Sequence, residues 1–234
     1  MLLPGAGGEA WYWHLVADRL RARAHDVVSP DLPAADDDAG LAEYAEVVLN
    51  AIGAREDLVV VAQSMGAFLA PLLCARADVR QLILVAPMIP APGESPSEWW
   101  TGSGQLPAMH EQDRREGRDP DAPFDVMTAF FHDVPKEIVD EAFARGEARQ
   151  SSTPMGERWP LEAWPGVPTS VIAGSHDRLF PLDFIVDLAR ERLGVQDVDV
   201  IDSGHMPALS RPDELAQRLE AHAVYGSGRP SNPR

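Results

Sequence analysis

The stretch Leu58-Val59-Val60-Val61-Ala62-Gln63-Ser64-Met65-Gly66-Ala67-Phe68-Leu69 changes character at its one hydroxyl. Up to Ala62 it is a continuous apolar run rich in β-branched residues, the pattern of a strand covered on both faces. From Met65 to Ala77 the spacing is that of a helix. A serine between a strand and a helix points outward from the carboxyl edge of a sheet, where open α/β sheets bind ligands. In so tight a turn the residues two before and two after the serine crowd each other, and Ala62 and Gly66 are both small. The pattern is G-x-S-x-G with Ala in the first place. A turn serine can also simply bond its own backbone, so the rest of the chain has to decide what Ser64 does.

Working outward, further short apolar runs occur at Met1–Pro4, Asp26–Ser29, Gln81–Ala86, Thr169–Ala173 and Asp197–Ile201. Helical spacing follows at Glu9–Arg23, Leu41–Ala54, Phe184–Leu193 and Pro212–Ala223. Asp36-Asp37-Asp38 offers carboxylates to the start of the second helix, and Pro71 is expected to kink the third. Alternating strands and helices predict an α/β fold, a mostly parallel sheet of about six strands with helices on both faces. Residues 89–164 break the alternation: no strand pattern appears, and helical spacing returns only near Val126–His132 and Lys136–Arg145. The expected organisation is a core of residues 1–88 and 165–225, a helical cap at 89–164, and a disordered polar tail at 226–234. The cap holds four of the six tryptophans and four of the seven phenylalanines.

A serine nucleophile needs a base, and the base needs an acid to orient it. His205 follows the last strand through Asp202-Ser203-Gly204, so it can reach the edge that carries Ser64. Asp177 follows the preceding strand through Gly174-Ser175-His176, with Glu94 as a weaker alternative acid. The order Ser, Asp, His is that of one hydrolase architecture. Pro4-Gly5-Ala6-Gly7-Gly8, after the first strand, is a loop whose backbone can approach a substrate closely. It has the register of neither a phosphate loop nor a dinucleotide fingerprint. Ala6 and Met65 are the candidate N–H donors for an oxyanion.

Composition narrows the classes. With 234 residues and 45% hydrophobic content the chain can bury a substantial core. A net charge of -17 argues against nucleic acid or an anionic membrane as partner. The single cysteine, Cys74, excludes an intramolecular disulfide and a cysteine-cluster metal site. There is no apolar run of membrane-spanning length, and Met1–Gly5 is too short for a signal peptide. The expectation is a soluble, cytoplasmic protein with a small-molecule substrate, no metal and no cofactor, a homodimer being left open.

Leu3-Pro4-Gly5-Ala6-Gly7 with Trp11-Tyr12-Trp13, Pro30-Asp31-Leu32-Pro33, Gln63-Ser64-Met65-Gly66, Ala173-Gly174-Ser175-His176-Asp177 and Ser203-Gly204-His205-Met206-Pro207 together resemble the α/β-hydrolase superfamily. Within it the chain is similar to small capped serine esterases related to plant methylesterases and hydroxynitrile lyases, and Phe131-His132-Asp133-Val134-Pro135 resembles a cap segment of that group. The resemblance implies an α/β-hydrolase fold with a helical cap insertion. It implies Ser64, Asp177 and His205 as catalytic triad, Ala6 and Met65 as oxyanion hole, and Trp13, Phe131 and Met206 as substrate contacts. It departs at Pro4, where the family usually carries His.

The expected activity is cleavage of a carboxylic ester, thioester or lactone through an acyl-enzyme on Ser64. The alternatives are a non-catalytic small-molecule binder or receptor, or another chemistry of the fold such as lyase or perhydrolase. An aspartate nucleophile is absent, against dehalogenase or epoxide hydrolase. Hydroxynitrile lyase activity in the family leans on a lysine near the acid and histidine, and the one lysine, Lys136, lies in the cap.

Overall fold

The computed structural model describes residues 1–225; the tail at 226–234, expected to be disordered, lies outside the described residues. Five strands, β1 (Leu2–Leu3), β2 (Leu58–Gln63), β3 (Val79–Val85), β4 (Thr169–Gly174) and β5 (Asp199–Ile201), form one sheet in that order. Every neighbouring pair is parallel. The sixth expected strand, Asp26–Ser29, is not one: it runs beyond the β1 edge and meets the sheet through a single backbone bond, from Leu2 N–H to the Val28 carbonyl at 2.8 Å. With only two residues in β1, the ladder there is too short to pair a further strand.

The apolar runs are continuous because alternate residues serve two cores. Val60, Ala62, Leu82, Leu84, Val171 and Ala173 join one cluster, whereas Val61, Ile83, Val85 and Ile172 join the other. Helices α2 (Leu41–Ile52), α3 (Gly66–Leu73) and, later in the chain, Leu182–Leu193 cover the first face. Helix α1 (His14–Ala22), preceded by a 3₁₀ turn at Ala10–Trp13, covers the second with two C-terminal helices. Helix α3 stops at Leu73, two residues past Pro71, rather than reaching Ala77. The start of α2 is not capped by Asp36–Asp38. Gly40 N–H donates to Glu43 at 2.8 Å, and Leu41 N–H to Glu157 at 2.6 Å.

Between β3 and β4 the regular elements are all helical: α4 (Pro96–Gly102), α5 (Gln105–Arg115), a π-helical turn at Met127–Phe131, α6 (Lys136–Ala144) and α7 (Thr153–Gly156). Helix α4 begins on a capping box, Ser95 Oγ accepting from Glu98 N–H and Glu98 accepting from Ser95 N–H. After β4 come α8 (Leu182–Leu193), then β5, α9 (Pro207–Ser210) and α10 (Pro212–Tyr225). Among the described residues no helix is long and apolar enough to cross a membrane.

Candidate active site

Ser64 occupies the turn between β2 and α3 with φ at +50°, left-handed backbone that a residue with a Cβ enters at a cost of about 1–3 kcal/mol. The end of β3 holds it there: Ser64 N–H donates to the Val85 carbonyl at 3.0 Å, and Met88 N–H to the Ser64 carbonyl at 3.0 Å. The turn leaves no room two residues on. A Cβ on Gly66 would lie 2.7 Å from the Pro4 carbonyl oxygen, so glycine there lets α3 begin against the loop after β1. Ala62, fully buried, is in register with Leu3 of β1 and Leu84 of β3.

Two other strand ends complete the arrangement. His205, 0% exposed, follows β5 and lies with Nε2 3.2 Å from Ser64 Oγ. Its Nδ1 lies 2.8 Å from Asp177 Oδ2, beyond β4. The other oxygen, Asp177 Oδ1, accepts N–H groups from Leu179 and Phe180 at 2.8 and 2.9 Å. A carboxylate so engaged is an acceptor, which fixes Nδ1 as the protonated nitrogen and leaves the Nε2 lone pair facing Ser64. Phe180 and Phe130 meet the imidazole edge-on, with centroids 4.7 and 5.3 Å away, and keep it dry. Glu94, the alternative acid, is instead ion-paired with Arg192.

Ser64 opens into a cavity of about 560 Å³. Its lining is mainly apolar, with Trp100, Phe130, Phe131 and Phe143 from the segment between β3 and β4 and four of the seven methionines, Met65, Met88, Met155 and Met206. The charged side chains among the lining residues are Glu9 and Glu147. Ala6 and Met65 both border it, and among the described residues neither N–H is taken by another protein group.

The structure therefore brings Ser64, Asp177, His205, Ala6, Met65, Phe131 and Met206 to one place. Trp13 is the exception. It is fully buried in the core beside Val16 and Leu20, while Trp11 and Tyr12 line the cavity. The three residues share a 3₁₀ turn, where successive side chains point about 120° apart, so only part of the aromatic triplet can face the cavity.

Several contacts at the site were not read from the sequence. Buried Gln63 donates from Nε2 to the His205 carbonyl at 3.4 Å. Gly7 N–H donates to Gln150 Oε1 at 3.0 Å, and Gln150 Nε2 donates to the Tyr44 hydroxyl at 3.1 Å, so the glycine loop is held from α2 through Gln150. Gly204 N–H donates to Asp133 Oδ2 at 2.7 Å. Burial, then the Arg178 charge, lowers the pKa of neighbouring His132. Among the described residues no group of three or more His, Cys, Asp or Glu side chains is placed to hold a metal ion.

A parallel sheet with a serine, a histidine and an aspartate hydrogen-bonded in series at its carboxyl edge defines a hydrolase of the α/β class. Residues 1–218 match the Alpha/beta hydrolase family, and the chain belongs to it. No curated protein matches it in sequence. Among solved structures it is similar to a pyrethroid hydrolase from Sphingobium faniae JZ-2, with a TM-score of 0.71 and 21% identity over 95% of this chain and 96% of that one. An extracellular α/β-hydrolase from a Paenibacillus species, described as sharing structural and functional homology with tobacco salicylic acid binding protein 2, gives a TM-score of 0.75 at 17% identity over 95% and 97%. Polyneuridine aldehyde esterase gives 0.70 at 18% over 95% and 97%. At these identities the likeness is one of fold.

Proposed function

We propose that the protein hydrolyses carboxylic esters through an acyl-enzyme on Ser64. The observation that carries this reading is the series Ser64 Oγ, His205 Nε2, His205 Nδ1, Asp177 Oδ2, with spacings of 3.2 and 2.8 Å, opening on a mainly apolar cavity. Ser64 Oγ attacks the ester carbonyl carbon as its proton passes to Nε2, and Asp177 stabilises the imidazolium. The Ala6 and Met65 N–H groups, the second at the positive end of α3, receive the oxyanion. Collapse of the adduct breaks the carbon–oxygen bond to the alcohol, which leaves with the proton from Nε2. Water, deprotonated by the same nitrogen, then attacks the acyl carbon, and the carboxylic acid departs as Ser64 regains its proton.

Residues 89–164 act in this reading as a cap over the core segments 1–88 and 165–225. Their aromatic side chains and the four methionines suit a bulky, uncharged ester, since unbranched thioethers adapt to irregular apolar shapes. Glu9 and Glu147 disfavour an anionic one. Lys136 supports no lyase role: it pairs with Asp140 and does not line the cavity.

The test is a fluorophosphonate probe with a panel of neutral and anionic p-nitrophenyl esters. The native protein is expected to take one phosphonate, located at Ser64, and to prefer neutral esters of longer acyl chain. No labelling of the native protein would make it a binder on a hydrolase fold instead.

A further inference from the structure

We propose that Asp133 is a positioning residue for His205, gripping through its carboxylate the loop that carries the imidazole. This rests on the reading of Ser64 and His205 as the reacting pair. The loop needs a grip from outside the sheet. It follows β5, a three-residue edge strand paired with β4, and the backbone bonds that continue this pairing, Ser175 N–H to the Ile201 carbonyl at 2.9 Å and His176 N–H to the Ser203 carbonyl at 3.0 Å, stop one residue short of Gly204. Gly204, immediately before His205, donates its N–H to Asp133 Oδ2 at 2.7 Å, a charge-assisted bond.

The fit around Gly204 is close. A Cβ there would lie 2.6 Å from His132 Cε1 and 2.8 Å from Asp133 Oδ1, so the two side chains close on the bare α-carbon. Phe130 meets the imidazole itself edge-on at 5.3 Å. Residues 130–133 thus touch both the ring of His205 and the peptide before it. The grip is in turn anchored. His132 Nδ1 lies 3.1 Å from the Thr128 carbonyl, and Val134 is buried in the same core cluster as Leu2 and Ile201. Releasing Gly204 frees the loop to shift, and Nε2 to Ser64 Oγ, already 3.2 Å, is the contact that a shift of about 1 Å would break, a displacement that can cost about 100-fold in rate.

The test compares Asp133→Ala, Asp133→Asn and Ser64→Ala with the native enzyme, each normalised to folded protein by circular dichroism. Asp133→Ala is expected to lower kcat for a neutral p-nitrophenyl ester by about 10- to 100-fold, with KM changed less than about twofold, and to slow fluorophosphonate labelling in proportion. Asp133→Asn keeps an acceptor without the charge and is expected to fall between, about three- to fivefold below native. Native kcat and labelling in Asp133→Ala overturn the proposal. If that variant does not fold, native kcat in Asp133→Asn overturns it. Ser64→Ala separates the two claims: activity surviving there sinks the nucleophile assignment, whereas a dead Ser64→Ala beside a fully active Asp133→Ala sinks only the positioning role.

Discussion

The carboxyl edge of the sheet and the helical segment between β3 and β4 line the same cavity but are held by different forces. The edge is built on strands whose side chains are sealed on both faces, with Val60, Ala62, Leu82, Leu84 and Ile172 all at 0% exposure. Among the described residues, the helical segment instead carries five of the six exposed large apolar side chains, Leu106, Phe124, Val126, Met127 and Phe143. It is fastened at separate points. Trp159 donates its indole N–H to the Phe68 carbonyl of α3 at 3.0 Å, while Trp99 and Trp164 tie the segment to its own start, at the Ile89 and Pro90 carbonyls, also at 3.0 Å. Asp133, Gln150 and Glu157 add bonds to Gly204, Gly7 and Leu41. A region packed throughout accepts little change, whereas one pinned at points can vary between its pins. The edge is suited to hold reacting atoms, and the segment to choose what reaches them.

Breaking the edge should have the largest effect. Ser64→Ala is expected to reduce kcat on the order of 10⁶-fold, and Asp177→Asn about 10⁴-fold, both with native circular dichroism and measured in single-turnover assays. Gly66→Ala attacks the packing rather than the chemistry. Its methyl would meet the Pro4 carbonyl, so a loss of about 1–3 kcal/mol in urea unfolding is expected, with lower kcat because the glycine loop must move.

The contrast sharpens in the segment. Phe143 lines the cavity, contacts Phe131 at 5.6 Å and is 54% exposed. Phe143→Ala should raise KM for bulky aromatic esters by about 2- to 10-fold while stability changes by less than about 0.5 kcal/mol. Equal losses of stability in Phe143→Ala and Gly66→Ala would erase the distinction between the two regions. The smallest effect is expected at Cys74, at the end of α3, where burial pushes the thiol up to about 11. At pH 8 only about one thiol in a thousand is ionised, so iodoacetamide should leave activity intact.

The same division decides how much could be read from the sequence. The strands of the edge and the residues at their ends were legible because local rules place them: two-sided burial makes apolar runs, and a serine between strand and helix must face outward. Asp26–Ser29 has such a run but lacks a partner long enough to pair with. Helix α4 carried its signal in Ser95-Pro96-Ser97-Glu98, a capping box obscured by the surrounding Pro, Gly and Ser. Trp13 was misplaced because the choice among three adjacent aromatics depends on a 3₁₀ turn rather than on composition. Asp133, Gln150 and Glu157 bond residues 71, 143 and 116 positions away. Nothing local marks a carboxylate or amide whose partner is a distant backbone N–H.

The hydrogen bond between Ser64 and His205 joins residues 141 positions apart, with the whole helical segment synthesised between them. Loops of that length close slowly, after local structure has formed. During synthesis the turn at Ser64 can emerge with its flanking strand and helix long before its base exists. The proposed nucleophile is therefore without its base until β5 docks at the far edge of the sheet. On the proposed function, ester turnover then reports the moment at which β5 joins the sheet.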